Sequence, residues 1–242
     1  MKKFALVCGA SGAIGEAICQ KLAQDGWSLY LHYNTGKDKV QALYTQLASS
    51  YPQQEFLPVQ ADFRLETGAK RLAEQIFSLQ AIIFANGHAC YGLLEDTSAQ
   101  EMKELWLVHV QNPMQTTSLL AKKLRANAVS YVIVIGSIWG EVGAAGEVVY
   151  SAVKGAQHSF VKAYAQEVAF NGIRVNAIAP GIINTAMNAK FDAVERQEIV
   201  SQIPLQALGE ARDIANMTAF YVSGQADYVT GQIIRVNGGW YI

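Results

Sequence analysis

Cysteine is scarce in this chain, and its three copies, Cys8, Cys19 and Cys90, are scattered and odd in number. Such a set fits neither a disulfide framework nor a zinc site, so we expect no metal site. No run reaches the roughly 18 apolar residues of a membrane span. The apolar run before Gly9 is also too short for the core of a signal peptide. We therefore expect a soluble, cytoplasmic protein.

The chain also lacks an excess of charge of either sign, because it has 19 Lys and Arg and 20 Asp and Glu, for a formal net charge of −1. This balance gives no electrostatic footprint for nucleic acid or for an anionic membrane. The chain also lacks a linker, a low-complexity tract and an internal repeat. We therefore expect residues 1–242 to form a single domain.

Short, β-branched apolar runs are present, and they alternate with longer stretches whose apolar residues recur every three or four positions. The runs predict seven strands, at residues 4–8, 28–33, 56–61, 81–85, 131–136, 173–179 and 232–236. Strand–helix alternation of this kind predicts a parallel sheet with helices on both faces. The predicted fold is α/β, a single doubly wound domain of the Rossmann type.

The first predicted strand runs directly into CGASGAIG, where Gly9, Gly12 and Gly15 are three residues apart. Glycines in a strand-to-helix turn let the backbone approach a pyrophosphate at the helix N-terminus. A tight turn without a ligand gives the same letters, but the position between a strand and an amphipathic helix favours dinucleotide binding. The predicted cofactor contacts in this turn are Gly9, Ser11, Gly12, Ala13, Ile14 and Gly15.

The end of the second strand, in LHYNTGKDK, lacks the carboxylate that would bind the ribose 2′-hydroxyl of NAD. Asn34 and Thr35 can instead donate to a 2′-phosphate, and Lys37 or Lys39 can neutralise it. We therefore predict NADP(H), with Tyr33, Asn34 and Thr35 as contacts. A solvated loop is the alternative interpretation of the two lysines.

A serine, a tyrosine and a lysine follow the fifth predicted strand. Ser137 ends that strand, on the edge where ligands bind in open α/β sheets. Tyr150 and Lys154 lie one helical turn apart on the next helix and share a face. A nearby ammonium lowers the pKa of a phenol, and a serine hydroxyl can hold a carbonyl oxygen beside it. Tyr and Lys at this spacing are common on any amphipathic helix, but the serine and the glycine turn favour catalysis.

These motifs, with YSAVK, VNAIAPG at 175–181 and a C-terminal TGQ…VNGG, resemble the short-chain dehydrogenase/reductases over essentially the whole chain. The resemblance implies that Tyr150 donates the proton, that Ser137 orients the carbonyl, and that Lys154 lowers the tyrosine pKa and holds the nicotinamide ribose. It implies a substrate lid at about 182–204. The other implied cofactor contacts are Asp62 and Phe63 at the adenine, Asn86 and Gly87 after strand four, and Pro180, Gly181, Ile183 and Thr185 at the nicotinamide.

The chain departs from the family pattern at two places near this site. The usual NNAG after strand four reads FANG, which leaves backbone contacts with the cofactor intact. His109 aligns with the asparagine that usually completes a catalytic tetrad. A neutral imidazole can bond a water as that amide does, so we predict that His109 acts with the catalytic residues. A helix-packing histidine is the alternative interpretation.

A closer similarity bears on the substrate. The chain is similar to 3-oxoacyl-acyl-carrier-protein reductases, which dock the acidic carrier protein with two arginines. Tyr131 and Asn171 stand at the aligned positions, and the loss of these charges argues against carrier-protein docking. LHYN, SIWGE, GAQHSFVK and VNGGW resemble the Bacillus-type reductases of the 5-aminopentanone group on elongation factor P. We therefore expect a ketone on a protein side chain, with Glu141 or Glu147 pairing its amine.

Two alternatives remain open at this point. The first is a ketone carried by acyl carrier protein. The second is a catalytically idle, dinucleotide-sensing regulator on the same fold, since a fold does not fix a function. The complete set of Ser137, Tyr150 and Lys154 argues against a regulator. By the same resemblance we expect a homotetramer, with no nucleic-acid or membrane partner.

Overall fold

The computed structural model describes residues 2–185 and 192–242. Within these ranges seven strands form a single parallel sheet in the order β3-β2-β1-β4-β5-β6-β7. The strands are β1 Phe4–Cys8, β2 Ser28–Tyr33, β3 Phe56–Gln60, β4 Ala81–Phe84, β5 Ser130–Ile135, β6 Ile173–Pro180 and β7 Ile233–Val236. The predicted doubly wound sheet is confirmed, with each predicted strand end within one residue of its observed position.

Helices cover both faces of the sheet. They are α1 Ala13–Gln24, α2 Lys37–Ser50, α3 Gly68–Ala73, α4 Ala99–Trp106, α5 Asn112–Leu124, α6 Trp139–Val142, α7 Val148–Val168, α8 Ala193–Gln202 and α9 Ala211–Val222. α1, α2 and α9 pack on one apolar layer of the sheet. α3, α5 and α7 pack on the other. No helix within the described ranges is long and apolar enough to cross a membrane.

Strand β1 shows why the central strands are apolar at every position. Ala5 and Val7 belong to the layer under α1 and α9. Leu6 and Cys8 point into the layer under α5 and α7. A parallel strand buried on both faces needs no polar alternation, so its sequence reads as one continuous apolar run. This burial fixes the carboxyl end of β1, where the glycine turn begins.

The stretch 99–111, predicted as one amphipathic helix, is interrupted. α4 begins with a capping box formed by Ser98 and Glu101 and is followed by a wide, π-type turn at Leu107–Gln111. Pro113 has no N–H to donate to the carbonyl of His109, four residues earlier. That carbonyl instead accepts from Nε2 of Gln157 on α7, at 2.7 Å. The proline thus opens the helix at the point where His109 turns inward.

Candidate active site

A cleft of about 1000 Å³ opens at the carboxyl ends of the central strands, and a side pocket of about 220 Å³ adjoins it. The cleft is lined by most of the predicted site residues: Ser11, Gly12, Ala13, Ile14, Gly15, Asn86, Gly87, His109, Ser137, Tyr150, Lys154, Pro180, Gly181, Ile183 and Thr185. Gly9, Asn34, Asp62 and Phe63 line the side pocket. Tyr33 and Thr35 line neither.

The three glycines of the glycine turn are required for different reasons. A Cβ on Gly9, whose φ is +85°, would lie 2.8 Å from the Ala85 carbonyl oxygen, and one on Gly15 would strike the backbone of Gly9. These two glycines are required by packing. A Cβ on Gly12 would meet only the Gly9 oxygen, at 3.5 Å, so the fold itself tolerates a side chain there. The missing side chain of Gly12 is what a pyrophosphate at this turn requires.

Two further observations fit a dinucleotide in the cleft. Gly12 caps α1 without a side-chain hydrogen bond, so the first N–H groups of that helix remain available to an anion. Asn86 donates its amide to the Val108 carbonyl at 2.8 Å, while its buried Oδ1 has no hydrogen-bond partner among the described residues. A buried acceptor of this kind is satisfied by a ligand donor or a water. The residues present therefore fit a dinucleotide cofactor.

The side pocket is built around a buried histidine. Nδ1 of His32 accepts from the Gly9 N–H at 3.2 Å, and Nε2 lies 3.1 Å from the Ala61 carbonyl oxygen, which assigns the proton to Nε2. The ring stacks on Phe63 with 4.8 Å between centroids. Burial lowers the pKa of His32 to about 4, so the ring stays neutral and keeps both bonds. It joins the glycine turn to the predicted adenine wall.

The structure places the three predicted contacts at the end of β2 in different surroundings. Asn34 lines the side pocket, but its amide donates to Oδ1 of Asp62 at 3.1 Å. Tyr33 packs against the apolar layer under α1 and α2, because the pleat turns it away from the pocket. Thr35 is exposed. Of the two lysines, Lys39 lines the large cleft and Lys37 does not.

Ser137, Tyr150 and Lys154 meet in the middle of the cleft, as predicted. The Ser137 hydroxyl accepts from the Trp139 N–H at 3.2 Å and forms a hydrogen bond with the Tyr150 phenol. Lys154 is buried, and its Nζ donates to the Ile135 carbonyl oxygen at 3.0 Å. The same Nζ lies 5.5 Å from the centroid of the Tyr150 ring. The end of β5 and the first turns of α7 thus bring the three groups together.

The predicted effect of Lys154 on the phenol is not found in the structure. Burial raises the pKa of Tyr150, the nearby carboxylate of Glu147 raises it further, and the Ser137 hydrogen bond is the influence that lowers it. Lys154 is itself desolvated, which lowers its pKa to about 7 and leaves it only partly charged near neutral pH. Under these influences Tyr150 stays protonated and able to donate near neutral pH.

His109 packs directly on this group of residues. Its ring stands perpendicular to the Tyr150 ring, with centroids 5.7 Å apart, and is 1% exposed. Nε2 lies 2.9 Å from the His88 carbonyl oxygen, and the buried Nδ1 has no partner among the described residues. Burial and the charge of Lys154 hold the pKa of His109 well below its usual value. A Cβ on Gly87 would lie 2.2 Å from the ring, so Gly87 is required for the histidine to fit.

Comparisons with known proteins agree with this geometry. The model of the family described as "Enoyl-(Acyl carrier protein) reductase" matches residues 9–241. The "Uncharacterized oxidoreductase YmfI" of Bacillus subtilis (strain 168) is 41% identical over 242 residues, covering 100% of both chains. The "3-oxoacyl-[acyl-carrier-protein] reductase FabG" of Staphylococcus epidermidis is 31% identical over 246 residues, again covering 100% of both. The chain belongs to the short-chain dehydrogenase/reductase family.

Solved structures support the same assignment. A "blue fluorescent protein from metagenomic library in complex with NADPH" superposes with a TM-score of 0.91 at 27% identity, covering 99% of this chain and 98% of that one. The "angucycline C-6 ketoreductase LanV with bound NADP" shares the fold at 22% identity, with a TM-score of 0.92 over 98% of this chain and 95% of that one. The predictions of the family, the fold and an oxidoreductase are confirmed. The NADPH in the structure at 27% identity agrees with the prediction of NADP(H).

Beyond the motifs of this reductase family, the structure adds an aromatic wall that sequence reasoning missed. Trp139, Trp240 and Tyr241 line the cleft, with ring centroids 5.3 to 5.7 Å apart. Trp139 lies two residues after Ser137, which was a usable signal. Trp240 and Tyr241 come from the far end of the chain, and only the fold brings them to the cleft.

The two predicted amine partners are separated by the structure. Glu147 lines the cleft, and its negative charge raises the pKa of both Tyr150 and Tyr91. Glu141 does not line the cleft, because Nε of Arg235 holds its carboxylate at 2.6 Å. The prediction for Glu141 is wrong for this reason.

Tyr131 and Asn171, which align with the carrier-docking arginines of related reductases, lie in different surroundings. Tyr131 is 4% exposed in β5 and donates to Asp227 at 2.8 Å, so it lies in the core and not on a docking rim. Asn171 is exposed.

The predicted lid is described in part. Residues 186–191 lie outside the described residues. On either side of them, Ile182, Ile183 and Thr185 line the cleft, as do Ile199 and Gln202 on α8. An isolated parallel bridge pairs Ile183 with Gly209. The described ends of the segment therefore face the site.

Proposed function

We propose that this chain is an NADPH-dependent ketone reductase in which Ser137, Tyr150 and Lys154 carry the chemistry. The observation that carries the proposal is the meeting of these three side chains in a cleft whose glycine turn fits a dinucleotide. Bound NADPH would supply a hydride to the carbonyl carbon. The residues of the chain would hold the substrate and supply the proton.

The proton step follows from the protonation state of Tyr150. A carbonyl oxygen held by the Ser137 and Tyr150 hydroxyls becomes more basic as the carbon is reduced. Tyr150, kept protonated by burial, then donates to that oxygen. Lys154 lies close enough to stabilise the resulting phenolate, and its pKa of about 7 makes it able to return a proton. Catalysis here depends on a buried acid with a replaceable proton.

His109 is proposed as the group that completes this set. Its unpartnered Nδ1 is buried beside Tyr150 and within the electrostatic influence of Lys154. A water bonded to Nδ1 would connect the lysine to the cleft, which is the task of the family asparagine. The low pKa keeps the imidazole neutral, so it holds a water and does not itself carry charge near neutral pH. His109→Asn should therefore retain more turnover than His109→Leu.

The proposed substrate is the 5-aminopentanone group on elongation factor P. A protonated amine attached to the ketone would find a carboxylate in Glu147 and aromatic faces in Trp139, Trp240 and Tyr241. A cation gains from both, through ion pairing and through the quadrupole of an aromatic ring. The alternative, a 3-oxoacyl group on acyl carrier protein, is supported by the 31% identity to a reductase of that name. The burial of Tyr131 leaves no docking cation at that position.

A substrate panel tests this proposal. The purified chain is given NADPH with either aminopentanone-modified elongation factor P or acetoacetyl-carrier protein, and NADPH absorbance is followed. We expect reduction of the modified factor, with a mass gain of two hydrogens on its lysine, and weak, carrier-independent activity on the thioester. Efficient, salt-sensitive turnover of the carrier substrate alone would show that the substrate is wrong while the reductase assignment stands.

The expected assembly is a homotetramer. Large apolar side chains are exposed on two helices that pack away from the cleft, with Trp106 at 45%, Met114 at 43% and Leu119 at 52% exposure. Phe160 and Tyr164 on α7 are partly buried and stack with 5.4 Å between their ring centroids. Burial of such a surface between copies removes apolar area from water. Light scattering should show four copies at micromolar concentration, and a monomer would contradict the assembly.

A further inference from the structure

Arg64, four residues after β3, is held in the side pocket by Asp62. Its Nε lies 3.0 and 3.2 Å from the two carboxylate oxygens, and Nη2 lies 2.8 Å from Oδ2. The Arg64 backbone N–H adds a bond to Oδ1 at 2.9 Å. Together with the Asn34 amide, these donors surround Asp62 and hold its pKa below the usual value. The carboxylate is therefore ionised, and a fixed cation balances its charge.

The guanidinium has donors left over. Its bonds to Asp62 use the Nε and Nη2 side, and no acceptor among the described residues meets Nη1. The side chain is 48% exposed, so this outer edge is open to a ligand in the pocket. A guanidinium presents donors in a flat fork that matches phosphate oxygens. Arg64 can thus hold Asp62 with one edge and a phosphate with the other.

The surrounding backbone segments carry no competing cation. Neither the glycine turn GASGAIG at 9–15 nor the end of β2, HYNTG at 32–36, contains a lysine or arginine. Asn34 and Ser11 line the same side pocket as Arg64, so the pocket combines neutral donors with one fixed positive charge. Of the two lysines predicted to neutralise a 2′-phosphate, Lys39 lines the large cleft and Lys37 lines neither pocket. Without Arg64, the pocket would present the bare carboxylate of Asp62 to an anion.

We propose that Arg64 is the residue that makes this chain prefer NADPH to NADH, by binding the 2′-phosphate and by neutralising Asp62. The inference rests on the proposed function for the identity of the dinucleotide. It assigns the recognition of the phosphate to the loop after β3, and not to the loop after β2 from which the sequence predicted it. A cation near the ribose is what a 2′-phosphate requires.

Binding of two nucleotides that differ in the phosphate tests the role without turnover. Adenosine 2′,5′-bisphosphate and adenosine 5′-monophosphate are titrated by calorimetry into the wild type, Arg64→Gln and Arg64→Lys. We expect Arg64→Gln to weaken the bisphosphate on the order of tenfold, as loss of a charge-assisted contact does, and the monophosphate less than about twofold. Arg64→Lys should fall between, because it keeps the charge and loses the fork.

Arg71→Gln is the matched control. It removes the same charge from exposed α3, outside the residues that line either pocket, and should leave both affinities unchanged. Circular dichroism on each variant checks that the fold is retained. Lys39→Gln tests the competing cation, and we expect a smaller loss of bisphosphate affinity than in Arg64→Gln.

Three results would overturn the proposal. An equal loss for both nucleotides in Arg64→Gln would mean that the residue supports the adenine and not the phosphate. An unchanged bisphosphate affinity would mean that Arg64 binds only Asp62. A selective loss in Lys39→Gln alone would move the phosphate to α2. A failure of the proposed function would look different, since the wild type would then show no preference for the bisphosphate or would reduce no ketone.

Discussion

The two ends of the cleft differ in how completely their buried polar groups are hydrogen-bonded. At the adenine end, below β1 to β3, His32 has a partner for each ring nitrogen, and Asp62 is bonded by Asn34 and Arg64. At the catalytic end, the buried Nδ1 of His109, whose ring packs on Tyr150, has no hydrogen-bond partner among the described residues. The same holds for the buried Oδ1 of Asn86, which lines both the cleft and the side pocket. The buried imidazole of the adenine end is thus bonded at both ring nitrogens, while the buried imidazole of the catalytic end has one acceptor left over.

This difference shows in the protonation states. Asp62 is held in its ionised form by hydrogen bonds and by the charge of Arg64. Lys154 is pushed the other way by burial, to a pKa of about 7, and the pKa of Tyr150 rises for the same reason. A group held in one state suits binding, and a group poised between states suits proton transfer. The comparison therefore predicts that damage at each end affects a different property.

The largest expected effect is at the catalytic end. Tyr150→Phe removes the proton donor and keeps the ring that packs on His109, so turnover should fall by about 100-fold or more. Affinity for NADPH should stay within about twofold, because the glycine turn and the side pocket are untouched. Steady-state rates and a fluorescence titration of NADPH measure the two properties. A variant that keeps most of its turnover would remove Tyr150 from the mechanism.

The next effect belongs to the adenine end. Asn34→Asp replaces a donor to Asp62 with a second carboxylate at hydrogen-bond distance, which repels both Asp62 and a 2′-phosphate. NADPH affinity should fall on the order of tenfold and NADH affinity much less, so the preference reverses or disappears. Thr35→Asp adds the same charge one residue further on, where the side chain is exposed and lines neither pocket. Equal losses in the two variants would contradict the assigned geometry.

A smaller effect concerns substrate selectivity at the catalytic end. Glu147→Gln should lower the preference for an amine-bearing ketone over a neutral ketone by roughly fivefold, as loss of a partly exposed ion pair does. Glu141→Gln is the control, since Arg235 already binds that carboxylate away from the cleft. Ratios of kcat/KM for the two ketones measure the selectivity. A larger change in the Glu141 variant would reverse the assignment.

The smallest effect is on stability. The ordinary pKa of a lysine, 10.5, falls to about 7 for Lys154 in the folded chain. Above pH about 7 the unfolded chain therefore holds a proton that the folded chain lacks, and stability should rise with pH. From pH about 7 to 8.5 the gain should be on the order of 1 kcal/mol, and below this window it disappears. Urea unfolding of the wild type and Lys154→Met measures it, and equal slopes in both would contradict the desolvation of Lys154.

The sequence was sufficient for the sheet and for the groups that share one strand end or one helix face. Ser137, Tyr150 and Lys154 are close in the chain, so spacing alone brought them together. Arg64 was within reach of the same reasoning, because it lies two residues after Asp62 on the ligand edge. The burial of these groups was not within reach of that reasoning. Burial raises the pKa of Tyr150 and lowers that of Lys154, so the expected lowering of the tyrosine pKa is not found.

Other features depended on contacts between distant segments. Trp139 contacts Trp240, which lies about a hundred residues later in the chain, and no local sequence pattern predicts that contact. Glu141 and Glu147 have the same chemistry, and both lie between Ser137 and Tyr150 in the sequence. Only Arg235, on β7, separates them by binding one and not the other. The tight fit of His109 against Gly87 likewise requires two loops to be placed together.

Isotope transfer tests the central claim most directly. The chain is incubated with a ketone that it turns over and with NADPH carrying deuterium at the transferable position, and the alcohol is analysed by mass spectrometry and NMR. We expect one deuterium on the former carbonyl carbon, and formation of the labelled alcohol about 100-fold or more slower in Tyr150→Phe. An alcohol without deuterium on that carbon, or equal labelled product from Tyr150→Phe, would contradict this claim.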